Sequence, residues 1–253
     1  MSLPSPPFVP VEGIINLRSV GGFATSDKGF IMKPLAIFRS GEASSVTELG
    51  KQHLCVLGIK KIFDLRSEVE LKNYRTEART IEGIELVWAP ITPIETQDQE
   101  KLIQSMLSRL SSDWRAFLAL YKDSLRIAGP AYELIFAHVR DHPEDTCLVH
   151  CTVIHPGNDR TGPFLLNVSD EEIAEEYALT AVGLQLAVAV FAARFEKEAM
   201  CRENSQGLGS AQHEAENMRA TIEMIRKKGE SATDTDIETI RANLLVRGGC
   251  VIE

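Results

Sequence analysis

A cysteine and an arginine stand close together in VHCTVIHPGNDRTG, residues 149–162. The run TCLVHC (146–151) is apolar and β-rich, so it reads as a buried strand with Cys151 at its end. A loop containing Gly157 follows, and Arg160-Thr161-Gly162 leads toward a helix. A cysteine facing a helix N-terminus lies near free backbone N–H groups and the positive end of the helix dipole. Both favour the thiolate, and both favour an anion bound beside it. A nearby Arg offers the planar fork that fits a phosphoryl group through two parallel hydrogen bonds. These parts describe covalent catalysis on a phosphomonoester. The thiolate attacks phosphorus, a phosphocysteine forms, and water then releases it. Cys151 as an inert core cysteine and Arg160 as a surface ion-pair residue are the competing readings.

Such a site needs a sheet to hold it, and the chain supplies one. AIFRS (36–40), KKIFDL (60–65) and IELVWAPI (84–91) read as strands, the last stopped by Pro90 and Pro93. Ser45-Val-Thr-Glu48 has the form of a capping box opening a helix, with Val46, Leu49, His53, Val56 and Leu57 at helical spacing and Gly58 at its C-terminal end. Residues 97–141 turn helical, with breaks near Ser111-Ser112-Asp113 and at Gly129-Pro130, where Pro suits a first helical turn. Ser169-Asp-Glu-Glu172 is a second capping box. Helical patterns over 183–203, 211–228 and 234–246 follow it, with a loop at 204–210. The acidic run Asp170–Glu176 reads as the solvated first turns of a helix. Strand–helix alternation followed by a helical tail predicts an α/β sheet covered by helices, with a C-terminal helical addition.

Composition narrows the class of partner. The chain has 253 residues, and 27 Lys+Arg against 36 Asp+Glu give a net charge of −9. An acidic balance disfavours nucleic acid and anionic membranes, which draw on excess Lys and Arg. No apolar run reaches the roughly 20 residues of a spanning helix. The opening MSLPSPPFVPVEG has neither a basic n-region nor an apolar h-region, so a secretory signal is not expected. Five cysteines without a CxxC pair disfavour a disulfide framework and a zinc ribbon. A metal site at His150, Cys151 and His155 is disfavoured as well, because adjacent strand residues face opposite ways. His155 and Cys147 read as structural. A cytoplasmic location is the simplest expectation.

The segment resembles the signature loop of the cysteine-based tyrosine/serine protein phosphatase family, whose loop reads HCTAGKDRTG. The likeness extends to INLRSVGGF (15–23), IFRSGEAS (37–44), LGIKKIFDLRSEVE (57–70) and VSDEEIAEEYALT (168–180), in the family's order. The resemblance implies a protein-tyrosine-phosphatase-like α/β fold: a parallel-dominated central sheet, helices on both faces and a helical C-terminal lobe. It implies a domain over 14–253, with 183–253 as that lobe, while the proline-rich residues 1–13 read from their composition as an extended arm. It implies hydrolysis of phosphotyrosine in proteins or of small phosphomonoesters, with phosphoserine and phosphothreonine as further candidates. Neither metal nor organic cofactor is implied. Cys151 would be the nucleophile, Arg160 the phosphate clamp, Asp159 the general acid and His150 the residue that orients the nucleophile. Thr152, Gly157, Asn158, Thr161 and Gly162 would line the phosphate. Asp159 reads equally well as a helix N-cap. The separate acid of a Trp-Pro-Asp loop has only a partial echo in Trp88-Ala89-Pro90, which lacks the Asp.

The sequence departs from that family in three places. Eight residues separate Cys151 from Arg160, where the family has five. Val153-Ile-His-Pro156 stands where the family has one Ala, and Pro156 brings no N–H. Asn158 replaces the family's loop Lys, and only PFLLN (163–167) separates the loop from the next capping box. A rival reading is therefore a pseudophosphatase, a binding module with the fold but an overlong loop. A phosphoinositide phosphatase is a second rival, weakened by the missing Lys and the acidic charge. A rhodanese-like sulfurtransferase also uses a loop cysteine, but the DRTG end speaks against it.

Overall fold

Five strands form the sheet that carries Cys151. In the computed structural model, residues 5–26, 29–74, 80–91, 128–151, 166, 168–184, 219 and 234–248 are described. Their order is β1 (Arg18–Ser19), β2 (Phe30–Met32), β3 (Ile37–Ser40), α1 (Glu48–Val56), β4 (Ile59–Asp64), α2 (Glu68–Tyr74) and β5 (Glu85–Trp88). Then come α3 (Gly129–Asp141), β6 (Thr146–His150), α4 (Asp170–Leu184), α5 (Asp234–Leu244) and β7 (Leu245–Arg247). The sheet runs β1-β3-β6-β4-β5, with β3, β6, β4 and β5 parallel and β1 antiparallel on the edge. β6 enters late in the chain yet lies in the middle, with strands on both sides. This is why its sequence is continuously apolar rather than alternating. Cys147, Leu148 and Val149 are all buried.

Alternate residues of the strands feed two cores. Ile37, Phe63, Leu65, Cys147, Val149 and Cys151 face α3, α4 and α5, which contribute Ile135, Val139, Ile173, Tyr177, Ile240 and Leu244. Phe38, Ile62 and Leu148 face the other way, toward Leu54 of α1 and the N-terminal residues Val11, Ile14 and Leu17. Ile59 and Ile62 share that second face although three residues apart. A bulge between Ile59 and Lys61 shifts the register and turns the strand over. The N-terminal segment expected as an extended arm carries Phe8 and Val11 into the interior.

Several local expectations are corrected. Thr47, not Ser45, caps α1: its hydroxyl oxygen accepts from Gly50 N at 3.1 Å and donates to Glu12 Oε2 at 2.6 Å. The buried side of α1 is Gly50 and Leu54, with Val46 buried just ahead of the cap, whereas Leu49, His53 and Val56 are exposed. Gly50 sits there because a Cβ would collide with the Glu12 carbonyl oxygen. Gly58 follows the helix at φ +77°, the left-handed position a Gly accepts without strain. α2 was not expected, though Ser67-Glu-Val-Glu70 is itself a capping box: Ser67 Oγ accepts from Glu70 N, and Ser67 N donates to Glu70 Oε2. The last two residues of the expected 234–246 helix, Leu245 and Val246, instead begin β7, which pairs antiparallel with β2. The helical patterns expected over 97–127, 185–203 and 211–228, and the loop expected at 204–210, lie outside the described residues, Arg219 excepted. Among the described residues, no helix is long and apolar enough to cross a membrane.

Candidate active site at the end of the central strand

The parallel strands finish in register, with Ser40 of β3, His150 of β6, Asp64 of β4 and Trp88 of β5 side by side. The chain leaving β3 goes to α1 on one face, while that leaving β6 reaches α4 on the other. A crevice between strands whose connections diverge, at their carboxyl ends, is where α/β sheets place their ligands. Cys151 is the next residue after β6 and sits at this point. It is buried at 3% exposure on the α4 face. Its neighbour His150 turns to the opposite face, as strand alternation requires.

Beneath His150 lies a buried polar cluster. His150 Nε2 is 3.9 Å from Asp64 Oδ1. Arg66 clamps the same carboxylate with both arms of its fork, Nε to Oδ1 at 2.8 Å and Nη2 to Oδ2 at 2.6 Å. Arg66 Nη1 donates to Ser44 Oγ at 2.8 Å and lies 3.9 Å from Glu42 Oε1, both on the segment after β3. The Arg66 carbonyl accepts from Trp88 Nε1 at 2.8 Å. The backbone closes the same corner, because Leu65 N donates to the His150 carbonyl at 2.9 Å. Burial pushes the His150 imidazole down to about 4, with the Asp64 carboxylate only partly opposing it, so the ring is neutral near pH 7. Burial pushes the Asp64 carboxyl up, but the hydrogen bonds and charges of Arg66 and His150 outweigh it and hold it below the usual range.

A second buried cluster fixes α4, the helix that follows the loop. Arg18 Nε donates to Glu176 Oε1 at 2.7 Å, and Arg39 Nη1 donates to Glu176 Oε2 at 2.9 Å. Arg18 also reaches Thr180 Oγ1 at 2.9 Å and Asn16 Oδ1 at 2.6 Å. Arg18 and Arg39 are therefore interior residues. Glu176 likewise departs from the expected solvated acidic run, at 5% exposure. The start of α4 does follow expectation, with Ser169 Oγ accepting from Glu172 N at 3.2 Å.

Of the residues singled out from the sequence, the structure places Cys151 and His150 at the strand end. Thr152, Gly157, Asn158, Asp159, Arg160, Thr161 and Gly162 lie outside the described residues, as do Val153–Pro156. Cys147 is buried four residues before Cys151, and burial pushes its thiol up to about 12, so it stays protonated and inert. Sequence reasoning missed the roles of Glu42, Ser44 and Trp88, and for Asp64 and Arg66 favoured strand-end bonding of loop backbone over catalysis. The available signal was charge at the ends of otherwise apolar strands.

Residues 9–246 match the model of the tyrosine phosphatase family. Among solved structures, a Cys→Ser variant of P. aeruginosa TpbA in complex with pTyr is similar at 13% identity, over 88% of this chain and 93% of that one, with a TM-score of 0.26. No curated protein matches.

Proposed function

The chain belongs to the tyrosine phosphatase family of hydrolases, and from that premise we propose that it cleaves phosphotyrosine through a phosphocysteine formed on Cys151. Phosphoserine and phosphothreonine fall within the same proposal, as do a cytoplasmic location and a domain running from residue 14. The observation that carries the mechanism is the position of Cys151. It is the first residue past the central strand, at the carboxyl edge of a parallel sheet.

In this reading Arg160 holds the non-bridging oxygens, and the loop N–H groups from Thr152 to Gly162, with Gly157 and Asn158 among them, complete the cradle. The Cys151 thiolate displaces the tyrosyl oxygen while Asp159 protonates it. Water then cleaves the S–P bond and releases phosphate, returning the thiolate. His150 stays neutral on the far face of the strand and orients the backbone at Cys151. The reaction needs neither metal nor organic cofactor.

Hydrolysis of p-nitrophenyl phosphate tests the proposal. The expected result is turnover that persists in EDTA, is inhibited by vanadate and disappears in Cys151→Ser. Serine keeps the shape, but its hydroxyl is not ionised near pH 7. A Cys151→Ser protein with the wild-type rate would remove Cys151 from the mechanism. Absence of turnover in a folded wild-type chain that still binds phosphotyrosine peptide favours the binding-module reading, which the eight-residue spacing from Cys151 to Arg160 supports.

A further inference from the structure

The cluster around Arg66 joins four segments distant in sequence. Arg66 reaches Asp64 at the end of β4, Ser44 after β3 and, through its carbonyl, Trp88 at the end of β5. Asp64 in turn faces His150, the residue before Cys151. Asp64 and Arg66 are each about 1% exposed and His150 is 3% exposed. Ion pairs removed this far from water give little net stability, because the desolvation cost offsets the attraction. Their geometric effect is large, because each partner has one arrangement that satisfies it.

We propose that Asp64 and Arg66 are positioning residues for the nucleophile loop: the clamped carboxylate packs 3.9 Å from the imidazole of His150, whose ring hydrogen-bonds the Cys151 backbone, and so sets the backbone direction on which Cys151 leaves β6. This deepens the reading of Cys151 as the nucleophile and rests on it. Neither residue touches substrate in this scheme. Cys151 and the side chains under His150 lie on opposite faces of the strand, so the pair acts through the backbone at 150–151. Lysine at position 66 would keep the charge but lose the fork, and could not bond both Asp64 oxygens and Ser44 in the same geometry.

The test uses the full-length chain and two readouts, turnover of p-nitrophenyl phosphate and the pH dependence of Cys151 alkylation by iodoacetamide, followed on its own peptide by mass spectrometry. Arg66→Lys is expected to lower kcat by about 10²-fold, the scale of a misplacement of roughly 1 Å, with KM changed far less. The midpoint of Cys151 alkylation should move up toward the roughly 8.5 of a free thiol. A purely structural role would lower Tm and leave the alkylation midpoint of the folded protein in place. If Arg66→Lys does not fold, Ser44→Ala and Trp88→Phe each remove one hydrogen bond to Arg66 and should shift the same midpoint in the same direction. A folded Arg66→Lys protein with wild-type kcat and alkylation midpoint overturns the proposal, as do unchanged midpoints in both milder variants. Turnover that requires Cys151 but ignores Arg66→Lys overturns this inference alone. A wild-type chain without turnover overturns the phosphatase reading, and the alkylation midpoints still decide this one.

Discussion

Glu176 accepts from Nε of Arg18 at 2.7 Å across 158 positions of sequence. The contact has a specific cause. Arg18 and Arg39 are register partners on neighbouring antiparallel strands, a pairing in which like charges repel. Glu176 comes down from α4 onto both guanidinium groups and relieves the repulsion. The first strand of the sheet and the helix after the nucleophile loop are thereby locked together.

Replacing Glu176 by Gln should consequently cost more than a surface charge would. Removing one partner leaves buried charge uncompensated, a loss of roughly 3–5 kcal/mol. Urea unfolding of wild-type and Glu176→Gln proteins measures it directly. A loss under about 1 kcal/mol would show that the cluster relaxes or admits water.

Stability should fall with acid in a window that His150 sets. Its folded value of about 4 lies below the ordinary 6.5, so between these values the unfolded chain binds more protons than the folded one. Stability then rises with pH from about 4 to 6.5 and is lost as pH falls through the same interval. At about 1.4 kcal/mol per unit, the full effect is on the order of 3 kcal/mol. Asp64, held low, adds a loss of the same sign only below its ordinary 3.8. The difference in unfolding free energy between wild-type and His150→Asn, followed from pH 7 to pH 4, should therefore shrink by that amount. Parallel curves would mean that His150 does not titrate in this range.

The loop spacing gives a third expectation. Replacing Val153-Ile-His-Pro156 by one Ala brings Cys151 and Arg160 to the family's separation. Each preorganised donor restored to the phosphoryl oxygens is worth about 2.7–4 kcal/mol in the transition state. The shortened variant should turn over p-nitrophenyl phosphate at least about 10²-fold faster than the native chain. Equal rates would show that the four residues bulge away from the phosphate.

Much of the scaffold was legible in the sequence. The β-rich runs at 36–40, 60–65, 84–91 and 146–151 mark the four parallel strands, and the central one is apolar because it is buried on both faces. The capping box at Ser169 marks α4, because its hydrogen bonds are local. Cys151 and His150 were legible too, from residue type at a strand end. The facing of α1 was not. Leu49 and Val56 have the spacing of a buried stripe, yet the helix turns Gly50 and Leu54 inward, since only a glycine lets it approach Glu12.

Local sequence therefore determined the four parallel strands and several of the helices, and that a cysteine stands where a strand hands over to a loop. These properties follow from hydrogen bonding and burial within a few residues. Only the tertiary structure decided what the charged residues do. Glu176 reads as a solvated position in one dimension, and no local pattern marks Arg18, Arg39, Arg66 or Glu42 as interior, yet all five are buried. Their partners lie as far as 162 residues away. A buried charge is tolerable only beside its counter-charge, and no pattern within a single segment records that pairing.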